Sequence, residues 1–353
     1  MSRVGDPSVP GGTAVEQQDW AEVVAAAVRA PSIHNTQPWI FVAGQDRLDV
    51  RLDRERALPV VDPTGRQQVI SCAIAAEFAV VALRAAGRAA EVRPLPDPAD
   101  EDLLATVRVT GSHEVTDDDR AQLDAIGRRH TVRAAFEPRA VAPELVERLQ
   151  KEAESLDVWV KQITREEEET ATVFLIARAE ELEQDSPDYL AELQRWLRSD
   201  PGAVDGVPVE AVLSDDPATR PSNWLIRDFV AGQREPHSPF LPAGDPDAGP
   251  PEVERPTVLL LGTENDDREA WLLTGRALGR LLLHVTTAGV AASPLTQALD
   301  WPATRTQLRQ RLSLVGHPQM LLRMGYPSTA DAGAVSGRRP VEEVLRFAPA
   351  GHD

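Results

Sequence analysis

The sequence predicts an α+β protein built as two similar halves in one chain, with mixed sheets and a long central helix in each half. Three observations carry this. Two long helical stretches, residues 66–86 and 269–287, each end near a glycine and lead towards strands. The first is apolar on most sides, through Val69, Ile70, Ile74, Phe78, Val81 and Leu83, and such a helix belongs at a protein's centre. Finally, 353 residues with 42% hydrophobic content suffice for about two domains of ordinary size.

In chain order, residues 1–13 are rich in Gly, Pro and Ser and read as a disordered tail without the apolar region of a signal peptide. An alanine-rich helix over 20–29 stops at Pro31, because proline removes a backbone donor and disfavours helical backbone in the residue before it. After Pro38, Trp39-Ile40-Phe41-Val42 is β-prone, and residues 39–43 and 47–52 form a hairpin across Gly44-Gln45-Asp46. Asp62-Pro63-Thr64-Gly65 opens the first long helix and Gly87 closes it, with strands expected at 91–93 and 104–110. A short acidic helix over 117–126, stopped by Gly127, ends a first half of residues 14–127.

The second half, 128–353, continues with a helix over 144–154, a strand over 158–162 and helices over 166–183 and 187–197. Four glutamates at 166–169 sit where the helix dipole favours acid, and read as a solvated helix end rather than a metal site. Residues 200–256 are proline-rich and aperiodic, which suits either a lid over a pocket, anchored by Trp224 or Phe229, or plain disorder. A strand over 257–262, the second long helix, a short helix over 308–312 and a strand over 319–325 complete the half.

Fifty-six acidic residues against 37 basic ones give a net charge of -19, which argues against nucleic acid or an anionic membrane as partner. A phosphate site in such a chain must be made locally, by clustered arginines. The single cysteine, Cys72, allows no internal disulfide and reads as a small buried hydrophobe. No run approaches the roughly 18 apolar residues of a membrane span, so a cytoplasmic protein is expected. No Gly-x-Gly-x-x-Gly fingerprint is present, against a Rossmann dinucleotide site.

Two stretches carry chemistry. Between Pro31 and Pro38 stand Ser32, His34, Asn35, Thr36 and Gln37, polar side chains on a stiffened loop able to present donors and acceptors to a planar ligand. The plain alternative is a connector whose Ser and Asn cap turns. Arg128-Arg129-His130-Thr131-Val132-Arg133 puts three arginines and a hydroxyl within six residues, an anion-binding composition, or else a solvated basic turn.

Pro31-Ser32-x-x-Asn35-x-Gln37-Pro38-Trp39 resembles the flavin-contacting segment of the nitroreductase family of FMN oxidoreductases. The resemblance implies that Pro31, Ser32, Ile33, Asn35 and Gln37 line an FMN. Arg129-His130-Thr131-Val132-Arg133 is similar to the family's Arg-x-Ser/Thr-x-Lys/Arg-x-Phe signature, with Val132 and an extra alanine before Phe136 as departures. That implies a phosphate clamp of Arg129, Thr131 and Arg133, with His130 among them. Residues 289–297 resemble a Gly-Leu-x-Ser-x-Pro segment that passes the flavin N5 edge, implicating Pro294, Leu295, Thr296 and Gln297. Gly337-Arg338-Arg339-Pro340-Val341-Glu342-Glu343 resembles the family's arginine tail, so Arg338 or Arg339 is expected to return to the same phosphate.

Ordinary members are homodimers whose flavins take the clamp from one subunit and the loop from the other. Here each motif occurs once, which resembles a nitroreductase-like fold duplicated within one chain, a fused two-domain pseudo-dimer of the Acg-like, dormancy-associated branch. Two functions follow from the resemblance: NAD(P)H-dependent reduction of nitro or quinone acceptors, or FMN sequestration under a lid that blocks the nicotinamide. FMN, NAD(P)H and a small-molecule acceptor are the expected partners, in a monomer or homodimer. Flavin chemistry needs no catalytic acid or nucleophile from the chain and none stands out. His34 beside the loop reads as a structural hydrogen-bonding group or a proton donor.

Overall fold

The computed structural model describes residues 14–209, 224, 254–327 and 336–349. The tail 1–13, Phe229 and most of the 200–256 insert therefore lie outside the described residues. Helix α1 (Gln17–Ala27) leads through a single 3₁₀ turn (Ile33–Asn35) to the hairpin β1 (Trp39–Ala43) and β2 (Arg47–Leu52). Then come α2 (Arg66–Ala85), β3 (Arg88–Pro94), β4 (Leu103–Ser112), α3 (Asp117–Arg128) and α4 (Pro143–Glu154). Next are β5 (Trp159–Ile163), α5 (Glu166–Gln184), α6 (Pro187–Gln194) and the two-residue strands β6 (Leu197–Arg198) and β7 (Val207–Pro208). The chain closes with β8 (Thr257–Thr263), α7 (Arg268–Thr287), β9 (Ala291–Pro294), α8 (Gln297–Asp300), α9 (Pro302–Arg311), β10 (His317–Gly325), α10 (Val341–Val344) and β11 (Leu345–Phe347).

The class is α+β. One sheet has the order β11-β1-β2-β4-β3 and is mixed, since β11 joins β1 in parallel while the other pairings are antiparallel. The other, β5-β8-β10-β9, is antiparallel throughout. Strand β11 comes from the chain's end yet sits opposite β1, with Leu345 across from Phe41 and Phe347 from Ala43. The tail thus returns to close an edge of the sheet that holds the N-terminal hairpin.

Helices α2 and α7 cross at the centre. At Gly275 a Cβ would lie 2.3 Å from the Ile70 carbonyl oxygen, so only glycine permits this approach. Their contact buries Glu77 between Arg276 at 3.0 Å and Arg280 at 2.7 Å, a paired carboxylate inside an apolar seam. Trp39 and Phe41 of the first sheet and Leu259 and Leu322 of the second belong to one contiguous core. A second apolar cluster joins α5, α8 and α9 to β8 and β10.

Helix α2 is buried from Arg66 through Leu83. Contrary to the expectation that no stretch would suit a bilayer, α2 is long and apolar enough to cross one; here the protein itself covers it. Its start is fixed by Gly65 in left-handed backbone (φ 73°) and by the Asp62 carboxylate, which accepts from Gln68 N–H at 2.9 Å.

Four local expectations are corrected. Helix α3 runs through Gly127 to Arg128, because its Thr116–Asp119 capping box starts it firmly and a glycine without positive φ costs a helix only about 1 kcal/mol. Helix α6 ends at Gln194, and 197–198 become strand. Helix α9 starts earlier than 308, at Pro302, where proline's missing donor is harmless. The glutamates of α5 are not uniformly solvated: Glu168 is buried against Lys161 at 3.0 Å and Arg165.

Candidate functional site

The proline-bracketed loop holds an unusual backbone. His34, Asn35 and Gln37 have φ of 44°, 53° and 51°, the left-handed region that costs non-glycine residues energy. Its own polar groups hold part of the shape: Ser32 Oγ accepts from Gln37 N–H at 2.9 Å, and Ser71 Oγ on α2 accepts from Ile33 N–H at 3.2 Å. Distant segments hold the rest. Asn35 Nδ2 donates to the carbonyls of Gly206 (2.9 Å) and Gly337 (3.2 Å), and Gln37 Nε2 to that of Val204 (2.8 Å). Arg339 N–H donates to Gln37 Oε1 at 2.8 Å, and Arg56 bridges the Thr36 carbonyl and Asp205. The strain is thus over-determined from two sides.

This loop forms one wall of a cavity at the seam of α2 and α7. Pro31, Ser32, Ile33, His34 and Asn35 share the wall with Arg129, His130, Thr131 and Arg133, which follow α3, with Pro294 at the end of β9 and with Thr296 and Gln297 beyond it. Ile70 and Ile74 of α2, Leu278 and Leu282 of α7, and Met320 and Leu322 of β10 supply an apolar surface. Arg338, from the C-terminal tail, completes it. The proline-bracketed loop and the arginine motif, about a hundred residues apart in the chain, share one cleft.

Among the described residues no aspartate or glutamate lines the cavity, yet arginines do. Arg129 is 8% exposed, and its Nη2 donates to the Arg29 carbonyl at 3.4 Å. Arg338 Nη2 donates to the same carbonyl at 3.3 Å. The Nε groups of both are buried without a hydrogen-bond partner among the described residues. Burial, and then repulsion from Arg29, pulls Arg129 down to about 10. Arg338 falls to about 9, through burial first and then Arg129 and Arg29. Positive charge is gathered here at a cost that a bound anion would relieve.

The arginine loop is propped from behind. Thr131 bridges Ala292 in parallel, and Phe136 pairs with Pro327. Beneath, fully buried Arg323 contacts Glu254 at 2.6 Å, donates to the Ala134 carbonyl at 2.8 Å and lies 4.4 Å from the Phe136 ring centre. Glu254 also accepts from Phe136 N–H at 2.7 Å.

Three expected residues stand elsewhere. Gln37 spends its amide on Val204 and Arg339, so it clamps the loop rather than lining the cavity. Arg339 pairs with Asp53 at 3.2 Å and contacts the Gln37 carbonyl, which leaves Arg338 as the tail's cavity arginine. Leu295 is fully buried in the second core cluster. Trp224 is buried in that same cluster and does not line the cavity. Arg128 faces outward and pairs with Asp124 at 2.7 Å. Cys72 is buried against the Pro38 carbonyl, with its thiol pushed well above the usual range by burial.

Sequence reasoning missed Arg29, Gln67, Ser71, Val207 and Ser293 on the wall. Gln67, Ile70, Ser71 and Ile74 form an i, i+3, i+4, i+7 stripe on α2, a legible pattern hidden in a helix apolar all round. Arg29 lies just before the loop motif and offered no pattern of its own.

What fold and site define together is an α+β protein with an arginine-rich cavity at the α2–α7 seam, free of acid among the described residues. The chain is 34% identical over 331 residues to "Putative NAD(P)H nitroreductase Rv3131" of Mycobacterium tuberculosis, a match covering 92% of this chain and 90% of that one. It is 29% identical over 337 residues to "Putative NAD(P)H nitroreductase acg" of the same organism (93% and 96% covered), and 24% identical over 349 residues to "Probable NAD(P)H nitroreductase PigM" of Serratia (93% of each). The chain belongs to the nitroreductase family and is related to the mycobacterial acg and Rv3131 proteins. No family model matches it. Among solved structures, the FMN-dependent nitroreductase NfnB from Mycobacterium smegmatis in complex with NADPH aligns with 65% of this chain and 99% of its own, at 19% identity and a TM-score of 0.39.

Proposed function

We propose that the cavity binds one FMN per chain, between the halves, and that the protein is an FMN-dependent oxidoreductase using NAD(P)H to reduce nitro- or quinone-type acceptors. The observation that carries this is the pairing of a carboxylate-free arginine cluster, Arg129 buried and Arg29, Arg133 and Arg338 half-buried, with an adjoining apolar surface, in a chain of net charge -19. A phosphorylated planar ligand matches both features. The donor set fits FMN: Arg129 and Arg338 have unsatisfied buried Nε groups, and Asn35 Oδ1 is a buried acceptor without a hydrogen-bond partner among the described residues.

In this reading Arg129, Thr131, Arg133 and Arg338 hold the phosphate, and guanidinium forks suit its oxygens. Pro31, Ser32, Ile33 and Asn35 lie along the ring system, with Pro294, Thr296 and Gln297 at its reactive edge. Ile70, Ile74, Leu278 and Leu282 exclude water from one face. FMN, when bound, supplies the hydride chemistry; the chain supplies binding, orientation and dryness. His130 Nδ1 lies 3.2 Å from the Arg128 carbonyl, which can only accept; with the proton on Nδ1, the buried Nε2, without a hydrogen-bond partner among the described residues, is an acceptor.

The fused pseudo-dimer reading is kept as part of the proposal. Two sheets, each served by a long buried helix, α2 or α7, support two copies of one unit with a single retained site. The test is anaerobic mixing of the yellow protein with NADPH. Bleaching of the flavin band within turnover times, and return of colour on adding a quinone, is expected. Colour that persists with NADPH but bleaches with dithionite would overturn the reductase and leave an FMN-sequestering protein.

A further inference from the structure

We propose that Arg29, at the end of the helix preceding the loop, is a further ligand of the phosphate and is the first half's contribution to the anion site. The proposal rests on the FMN reading above and adds a residue that the loop, arginine and tail motifs leave out.

The geometry is specific. Arg29 lies two residues beyond α1 and lines the same cavity as Arg129 and Arg338. Its carbonyl accepts from both of their guanidinium groups, at 3.4 and 3.3 Å, which brings three segments far apart in sequence to one point. Carbonyls at the end of a helix carry partial negative charge, so this one is suited to steady two cations. The Arg29 guanidinium is itself close enough to depress both neighbours. Its one hydrogen bond among the described residues is a long one, 3.5 Å, to the Gly127 carbonyl, and it forms no ion pair there.

Three arginines on one cavity wall, Arg29, Arg129 and Arg338, with no acid on the described wall, repel one another until an anion arrives. A phosphomonoester carries close to two negative charges at neutral pH. Arg129 and Arg338 alone would balance it; with Arg133 also on the wall, Arg29 makes the site over-positive. Such a site selects a dianionic head group strongly over a neutral one. Backbone from Arg29 and side chain from Arg29 then act together, the carbonyl orienting the neighbours and the guanidinium adding charge.

The experiment compares FMN with riboflavin, which has the same rings and no phosphate, by titration of the full-length apoprotein. Wild type, Arg29→Gln and Arg29→Lys are measured at low and high salt. Expected are a strong wild-type preference for FMN, about a tenfold or larger loss of that preference in R29Q, and recovery of most of it in R29K. Riboflavin affinity should be unchanged in both, which also reports an intact cavity. If R29Q keeps the full wild-type preference, Arg29 is not a phosphate ligand and the FMN site stands without it. A wild-type protein that binds riboflavin as tightly as FMN, or binds neither, would overturn the cofactor reading itself. Should R29Q fail to fold, R29K carries the test: FMN bound no more tightly than riboflavin, with riboflavin still bound, would exclude a charge role.

Discussion

Arg129 and Arg338, more than two hundred residues apart in sequence, donate to one carbonyl oxygen, that of Arg29, at 3.4 and 3.3 Å. Each therefore helps set the position of the other, and one anion would serve both. Their effects on binding should not be independent. Arg129→Gln and Arg338→Gln are each expected to weaken FMN binding by about 1.5–3 kcal/mol, the worth of a charge-assisted contact. The double variant should lose less than the sum, by at least about 0.5 kcal/mol. Titration of the four apoproteins checks this, and strict additivity would separate the two arginines.

Asn35 should prove structural as well as ligand-facing. Its amide ties the loop to Gly206 and Gly337, at a φ of 53° that Asn tolerates better than Ala. Asn35→Ala is expected to lower folding stability by about 1–3 kcal/mol, read from denaturant midpoints of the apoprotein. A stability equal to wild type, with altered flavin binding, would assign Asn35 to the ligand alone.

Glu254 holds the arginine loop from below through Arg323 and Phe136 N–H. Glu254→Gln removes the carboxylate that faces a fully buried guanidinium, so a loss of about 3–5 kcal/mol is expected. FMN affinity should fall with it, because the 131–136 loop loses its support. Urea denaturation and FMN titration of this variant give the two numbers, and an unchanged midpoint would show that the pair is not what props the loop.

Asp62 gives the fold a pH dependence. Burial outweighs its hydrogen bond from Gln68 N–H and the nearby Arg66, and raises its carboxyl to about 6. A folded value above the unfolded one means the native state holds the proton longer, so stability falls as pH rises from about 4 to about 6. Asp62→Asn should flatten that slope in thermal melts across the interval. A slope unchanged in the variant would assign the pH dependence to other groups.

Much of this was legible in the sequence, for reasons that separate readable from unreadable residues. The hairpin at 39–52 and the long helices showed because their patterning is local. The arginine cluster and proline-bracketed loop showed because chemistry was concentrated in a few neighbouring positions. Arg29 did not, since its role is made by a carbonyl and by residues 100 and 309 positions away. Arg338 and Arg339 could not be told apart, because the choice is made by Asp53, which draws Arg339 away. Gln37 was read as a ligand because a polar side chain in a motif looks the same whether it faces a ligand or backbone. Glu254 sits at the end of a proline-rich stretch whose pattern gave no hint of a buried ion pair.

The central claim is that one flavin lies in the seam with its phosphate on the shared arginines. A crystal structure of the full-length protein grown with FMN tests it most directly. Phosphate oxygens within about 3.2 Å of both Arg129 and Arg338, with the rings between the Pro31–Asn35 loop and the 294–297 segment, are the expected result. FMN bound elsewhere, or with its phosphate turned away from both arginines, would contradict it.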